Sequence, residues 1–196
     1  MAFKKYALTA AVMAVMSGSA MAAQDLNTGH IQFNGMVNPN TCDINLMANS
    51  VTQNQEDFTV ALTTVDIQDV MAGTVGDVAS TLGETPFTIS VNCPVTVTGG
   101  TGVSVQFDTY NGTTTQANGL LYPQTNIKNA AKDVALVLKN SDNSQVKIGQ
   151  VNNSKVATFD TNNHAQLDYK IAYTKTSTTP TSGPVTAYTT YTIKYE

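Results

Sequence analysis

Apolar and polar residues alternate with a period of two through most of this chain, and that alternation constrains the fold more than any other feature. Cys42, Ile44 and Leu46 alternate with Asp43 and Asn45, and Phe58, Val60 and Leu62 with Thr59 and Ala61. Phe87, Ile89 and Val91 alternate with Thr88, Ser90 and Asn92, and Val103, Val105 and Phe107 with Ser104 and Gln106. Leu167, Tyr169, Ile171 and Tyr173 complete the series with Asp168, Lys170 and Ala172 between them. Such a pattern puts one side of an extended segment against a core and the other in water. Val134–Leu138 is apolar without a break, the mark of a strand covered on both faces. Turn chemistry separates the runs at Gly99-Gly100, Asn111-Gly112, Asn118-Gly119, Asn140 to Ser144, Asn152-Asn153, Asn162-Asn163 and Ser182-Gly183-Pro184. Only Val65–Leu82 breaks the pattern, and with Gly73 and Gly76 inside it there is room for no more than a short helix or an irregular loop. Eight or nine short strands without a sustained helix predict an all-β sandwich in one domain.

Composition supports this and excludes other classes. Thirty threonines and eighteen asparagines, with only 12% charged residues, favour strands and turns over helices. All ten basic residues are lysine and none falls between Lys5 and Lys128, so the basic patches and arginine forks of a nucleic-acid binder are missing. A hydrophobic share of 41% excludes both a disordered tail and a multi-span membrane protein.

Residues 1–22 read as a signal peptide. Lys4 and Lys5 form the basic start, Tyr6–Met16 the apolar run, and Ala20 and Ala22 the small residues of a cleavage site, so the mature chain is expected to begin at Ala23. The apolar run is about half of the ~20 residues that a spanning helix needs, which argues against a membrane anchor. Cleavage leaves eight lysines against fourteen carboxylates, an acidic chain with no electrostatic pull toward a polyanion. Export decides what Cys42 and Cys93 mean. In an oxidising compartment a lone pair forms a disulfide, and no CxxC or histidine spacing supports a metal or redox site.

The two ends carry the rest. Val185, Ala187, Thr189, Tyr191, Ile193 and Tyr195 share one face of a terminal strand that runs to within one residue of Glu196, so its far edge is expected to lack a following strand. Near the start, Gly29, Ile31, Phe33, Gly35 and Val37 alternate with His30, Gln32, Asn34 and Met36. Glycines on the apolar face of a strand suit close approach to another backbone.

Taken in order, several segments resemble the structural subunits of chaperone–usher fimbriae, close to the type 1 pilin. They are the signal peptide, Gly29-His30-Ile31-Gln32-Phe33-Asn34-Gly35, Thr41-Cys42-Asp43-Ile44, Phe87-Thr88-Ile89 before Cys93, Tyr169-Lys170-Ile171-Ala172-Tyr173, and a last strand with Tyr195 penultimate. The resemblance implies an incomplete immunoglobulin-like sandwich that lacks its last strand and is completed in trans. It implies a donor-strand extension over 23–38, with Gly29, Ile31, Phe33 and Gly35 as the donor face, and a pilin domain over 39–196. Tyr191, Ile193 and Tyr195 would form the groove edge, paired first with a periplasmic chaperone and then, at an outer-membrane usher, with the extension of an identical or related subunit. The expected result is a head-to-tail fimbria on the cell surface that supports adhesion, with no cofactor. Pro39 and the long polar stretch Lys175–Pro184 depart from the family pattern.

Other chemistry finds little support. His30 and His164 accompany no nucleophile motif, Thr98–Gly102 lacks the lysine of a phosphate loop, and Asp66, Asp69 and Asp77 lack calcium-loop spacing. The alternative is a fimbrial adapter or a carbohydrate-binding tip subunit. The length and the N-terminal extension count against a tip lectin, and the absence of tryptophan weakens sugar stacking, although eight tyrosines are available. A secreted enzyme is the least supported reading.

Overall fold

A computed structural model of the chain describes residues 42–48, 51–54, 57–79, 81–94, 101–110, 118–150 and 153–196, with side chains described in all of these but 51–54. The predicted signal peptide and the donor residues Gly29, Ile31, Phe33 and Gly35 lie outside the described residues.

Among the described residues there are ten strands and one short helix: β1 (Asp43–Ala48), β2 (Val51–Asn54), β3 (Asp57–Val60), α1 (Ile67–Ala72), β4 (Leu82–Asn92), β5 (Gly102–Thr109), β6 (Val134–Asn140), β7 (Gln145–Val146), β8 (Ala157–Thr158), β9 (His164–Lys175) and β10 (Thr189–Tyr195). They form an antiparallel sheet in the order β1-β4-β9-β6-β7, a second in the order β10-β5-β8, and a β2-β3 hairpin. Both larger sheets are open, and their apolar faces share one core. This is the all-β sandwich expected from the alternation, in the immunoglobulin-like form that the resemblance implies.

Register makes that core. Phe87, Ile89 and Val91 of β4 stand opposite Tyr169, Leu167 and Ala165 of β9, while Leu136 and Leu138 of β6 stand opposite Tyr173 and Ile171. Val103, Val105 and Phe107 of β5 meet them from the other sheet. Phe107 packs edge-on against Tyr169 at 5.2 Å, and Phe87 stacks on the same ring at 5.5 Å. Burial pushes the Tyr169 phenol up to about 12. The Val, Leu, Ile and Phe side chains among these contribute about 1.5–3 kcal/mol each by leaving water.

β6 is buried along its whole length, as its unbroken apolar run predicts. Its outward residues Ala135 and Val137 pack with Leu120, Val78 and Tyr122 in a second, smaller cluster. Leu121 and Leu136 exchange backbone hydrogen bonds of 2.9 and 2.8 Å, which holds the 118–122 segment beside β6. Above the same face runs the segment 74–79, tied down where the Thr174 hydroxyl donates to Asp77 O at 2.7 Å and Gly76 N–H donates to Lys175 O at 2.8 Å.

The ambiguous stretch resolves into α1 and the start of β4. Asp66 caps α1, its carboxylate accepting the Gln68 N–H at 2.8 Å, and the helix ends after six residues. β4 then begins at Leu82, earlier than the alternation from Phe87 suggests, with its register shifted between Leu82 and Thr85. Gly83 sits in that irregularity at φ +60°, where a Cβ would lie 2.5 Å from the Val65 methyl Cγ1. The terminal strand is shorter than its pattern. Residues 185–187 continue the alternation, but their neighbours bond elsewhere: Gln124 N–H donates to Thr186 O and Ala131 N–H to Pro184 O.

Candidate functional site

Two of the edge strands, β10 and β1, carry apolar side chains that face the core without being fully covered. On β10, Tyr191, Ile193 and Tyr195 stand opposite Phe107, Val105 and Val103 of β5. The β5 members are buried; the β10 members remain half-exposed although they pack against the core. β1 repeats the arrangement on the facing sheet. Ile44, Leu46 and Ala48 stand opposite the buried Val91, Ile89 and Phe87 of β4 and are themselves only half-buried. Val60 and Leu62 share that partial burial. Along both of these edge strands, side chains of the right type, in the right register and on the core-facing side, are left partly wet. That is what a sandwich short of covering material looks like.

Backbone geometry agrees. β10 bonds to β5 on one side and lies at the edge of its sheet, as β1 does in the five-stranded sheet. Further apolar groups extend the half-covered surface. The Phe58 ring lies 5.7 Å from that of Tyr191, and Phe159 stacks on Tyr195 at 6.5 Å. Partial burial raises the Tyr195 phenol above the ordinary tyrosine value. A cleft of about 220 Å³ opens where Val65, Ile67 and Val70 face Val134, Tyr173 and Val185.

Cys42 and Cys93 are joined as a disulfide with their Cα atoms 4.2 Å apart. The link extends the β1–β4 register by one step beyond the Asp43–Asn92 pair, so it ties the edge strand β1 to the sheet interior. The structure thus brings together the predicted edge residues Tyr191, Ile193 and Tyr195 on one face. Sequence reasoning missed the opposing contribution of Ile44, Leu46, Val60 and Leu62. Their alternation reads as ordinary core, and only the strand order shows that they stand at an edge.

Among the described residues no group of three or more His, Cys, Asp or Glu side chains could hold a metal ion. His164 lies in β9 opposite Asn92, and its backbone N–H donates to the Asp160 carboxylate at 2.9 Å. That carboxylate also accepts the Asn162 N–H, and the two bonds hold it below the usual aspartate range, so it serves the turn.

Comparison with known proteins gives the same answer from sequence. The family model described as "Fimbrial protein" matches residues 31–196. The F17 fimbrial protein of Escherichia coli is 33% identical over 193 residues, which covers 94% of this chain and 95% of that one. The fold is shared with a subunit from a chaperone–usher pilus studied for rod uncoiling, at 18% identity and a TM-score of 0.54 over 87% of this chain and 96% of that one. It is shared also with the P pilus rod subunit PapA, at 16% identity and a TM-score of 0.50 over 75% and 98%. Sequence match, half-covered core and open sheet edges agree: this chain belongs to the fimbrial protein family, a structural pilus subunit with the sandwich fold of chaperone–usher pilins rather than an enzyme.

Proposed function

We propose that this subunit polymerises head to tail by donor-strand exchange. In this reading residues 1–22 direct export and are removed, and 23–38 form the donor extension. That extension lays Gly29, Ile31, Phe33 and Gly35 into the groove of the next subunit. The receiving edge is β10, with Tyr191, Ile193 and Tyr195 below the incoming strand. A periplasmic chaperone occupies the groove first, and an outer-membrane usher is where the exchange takes place. The product is a surface fimbria that supports adhesion.

One observation carries the reading: core-facing apolar side chains on β1 and β10 are half-exposed while their partners one strand inward are buried. An added strand gives β10 a second row of hydrogen bonds, each about 0.5–1.5 kcal/mol net. Ile31 and Phe33 would add about 1.5–3 kcal/mol apiece on burial. Because donor and acceptor surfaces differ, the contact does not close on itself and propagates as a filament.

The test is electrophoresis of surface extracts before and after boiling in acid. Wild type gives a ladder of high-mass species that collapses to one band. Phe33→Asp leaves a soluble chaperone-bound subunit and no ladder. Normal fibres from Phe33→Asp overturn the assignment of the donor strand.

A further inference from the structure

One residue beyond the last pair of the β5–β10 ladder, Thr109 and Thr189, Tyr110 meets Tyr188 with ring centroids 5.6 Å apart and planes tilted by 43°. They are 45% and 50% exposed, and among the described residues they are the two aromatic side chains left in the open. Neither belongs to the groove. The inward residues are Val103, Val105 and Phe107 on β5 and Tyr191, Ile193 and Tyr195 on β10. The outward positions therefore run Tyr110, Asp108, Gln106 on one strand and Tyr188, Thr190, Thr192 on the other, with Asp108 opposite Thr190 and Gln106 opposite Thr192.

This outward face thus carries an aromatic pair at one end, then a carboxylate, an amide and two hydroxyls. Ring-on-ring packing alone stabilises a strand end modestly, and the tilt leaves ring surface toward water. The polar neighbours decide the ligand. A protein partner would require a larger apolar area than two rings supply. An anionic ligand meets the Asp108 carboxylate, and the lysine of this face, Lys194, stands beyond Thr192 and contacts Gln106. A neutral pyranose has the complementary chemistry, with one C–H face to lie on a ring and a rim of hydroxyls for carboxylate, amide and hydroxyl partners.

We propose that Tyr110 and Tyr188 form a stacking platform for a neutral pyranose, with Asp108 and Thr190 bonding its hydroxyls. The platform would give the body of the subunit a receptor-binding role of its own. Its weak affinity per copy would be multiplied by repetition along a fibre, and that gain alone rests on the polymer reading.

The test maps tyrosine nitration in the isolated exported chain and in its high-mass form, with and without the methyl glycosides of galactose, glucose, mannose and N-acetylglucosamine. At least one sugar should slow nitration of both Tyr110 and Tyr188 by about threefold or more while Tyr122 is unaffected. Retention of the wild-type chain on beads bearing that sugar should fall about three- to tenfold in Tyr110→Ala and in Tyr188→Ala, and survive in the Phe variants. Protection by none of the four sugars overturns the proposal, as does retention indifferent to both Ala variants. Rings reactive in the monomer but shielded in the polymer without sugar also overturn it, because a second copy then covers them. Sugar protection without any high-mass species would uphold the platform and refute polymerisation.

Discussion

The Lys139 ammonium, on a side chain only 1% exposed, lies 3.0 Å from the Glu84 carboxylate, whose side chain is 38% exposed. The same nitrogen donates to Thr81 Oγ1 at 2.6 Å and to Ala79 O at 3.2 Å. All three ammonium protons thus have an acceptor, which is what lets a lysine stay buried. Lys139 lies at the end of β6 and its three partners lie 55 to 60 residues earlier, so the contact fastens the segment above β6 to the sheet.

Truncation of this lysine leaves both a void and three acceptors without their donor. Lys139→Ala should destabilise the subunit by about 3–5 kcal/mol. Lys139→Met keeps most of the stem, and the Glu84 side of the cluster can rehydrate, so its cost should be about 1–2 kcal/mol. Urea midpoints of the exported chain check the order, wild type above Met above Ala.

Glu84 also sets a pH signature. The hydrogen bond from Lys139 holds its carboxyl below the ordinary value of 4.5 against the opposing effect of burial, with the charge of Lys139, the Thr81 hydroxyl and Lys170 assisting. A folded-state value below the unfolded one means stability that is complete at neutral pH and is lost as pH falls through the lowered value. The midpoint difference between wild type and Glu84→Gln should therefore be level at neutral pH and shrink as pH falls below 4.5. A difference is the quantity to read, because Asp142 and Asp160 are lowered too and share the acid limb.

This clamp was illegible in the sequence, whereas the strand beneath it was not. Val134–Leu138 announces a doubly covered strand by its unbroken apolar run, but the next residue, Lys139, reads as the strand meeting solvent. Its burial depends on its contacts with Ala79, Thr81 and Glu84, a tertiary fact with no local trace. The two-residue strands β7 and β8 are too short to show a period. The β10 edge was half legible. Alternation marks Tyr191, Ile193 and Tyr195 as core-facing, and the strand order, which places β10 at a sheet edge among the described residues, accounts for their partial exposure.

Gly83 combines a positive φ with a crowded site, since a Cβ there would meet Val65 Cγ1 at 2.5 Å and the Tyr173 ring at 3.2 Å. Gly83→Ala pays for both the backbone conformation and the overlap, about 2–4 kcal/mol together. Gly76 has a similar φ of +69° with nothing within 4 Å of its would-be Cβ. Gly76→Ala should therefore cost only about 1 kcal/mol. Thermal unfolding of the two variants separates crowding from backbone strain.

The Cys42–Cys93 disulfide closes a loop of 51 positions. The chain-entropy relation gives about 4 kcal/mol for a loop of that size. Because the link joins β1 to β4, Cys42→Ser/Cys93→Ser should first release β1, one wall of the half-covered surface. Hydrogen exchange should show early loss of protection in Asp43–Ala48, while β6 and the centre of β9 stay protected at the same denaturant concentration.

Ile193 separates what holds the subunit together from what holds neighbours together. It stands opposite buried Val105 yet is itself half-exposed, so Ile193→Ala should cost an isolated subunit only about 1 kcal/mol. If an incoming strand covers this position, the same truncation removes burial that exists only in the fibre. The temperature at which the high-mass ladder collapses in detergent should then drop by more than the subunit's own unfolding temperature. Thr192 is the matched control: it lies on the same strand, opposite Gln106, and faces away from the core. Thr192→Ala should leave the collapse temperature unchanged. Equal falls for the two variants would mean that the inward face of β10 has no special part in joining subunits.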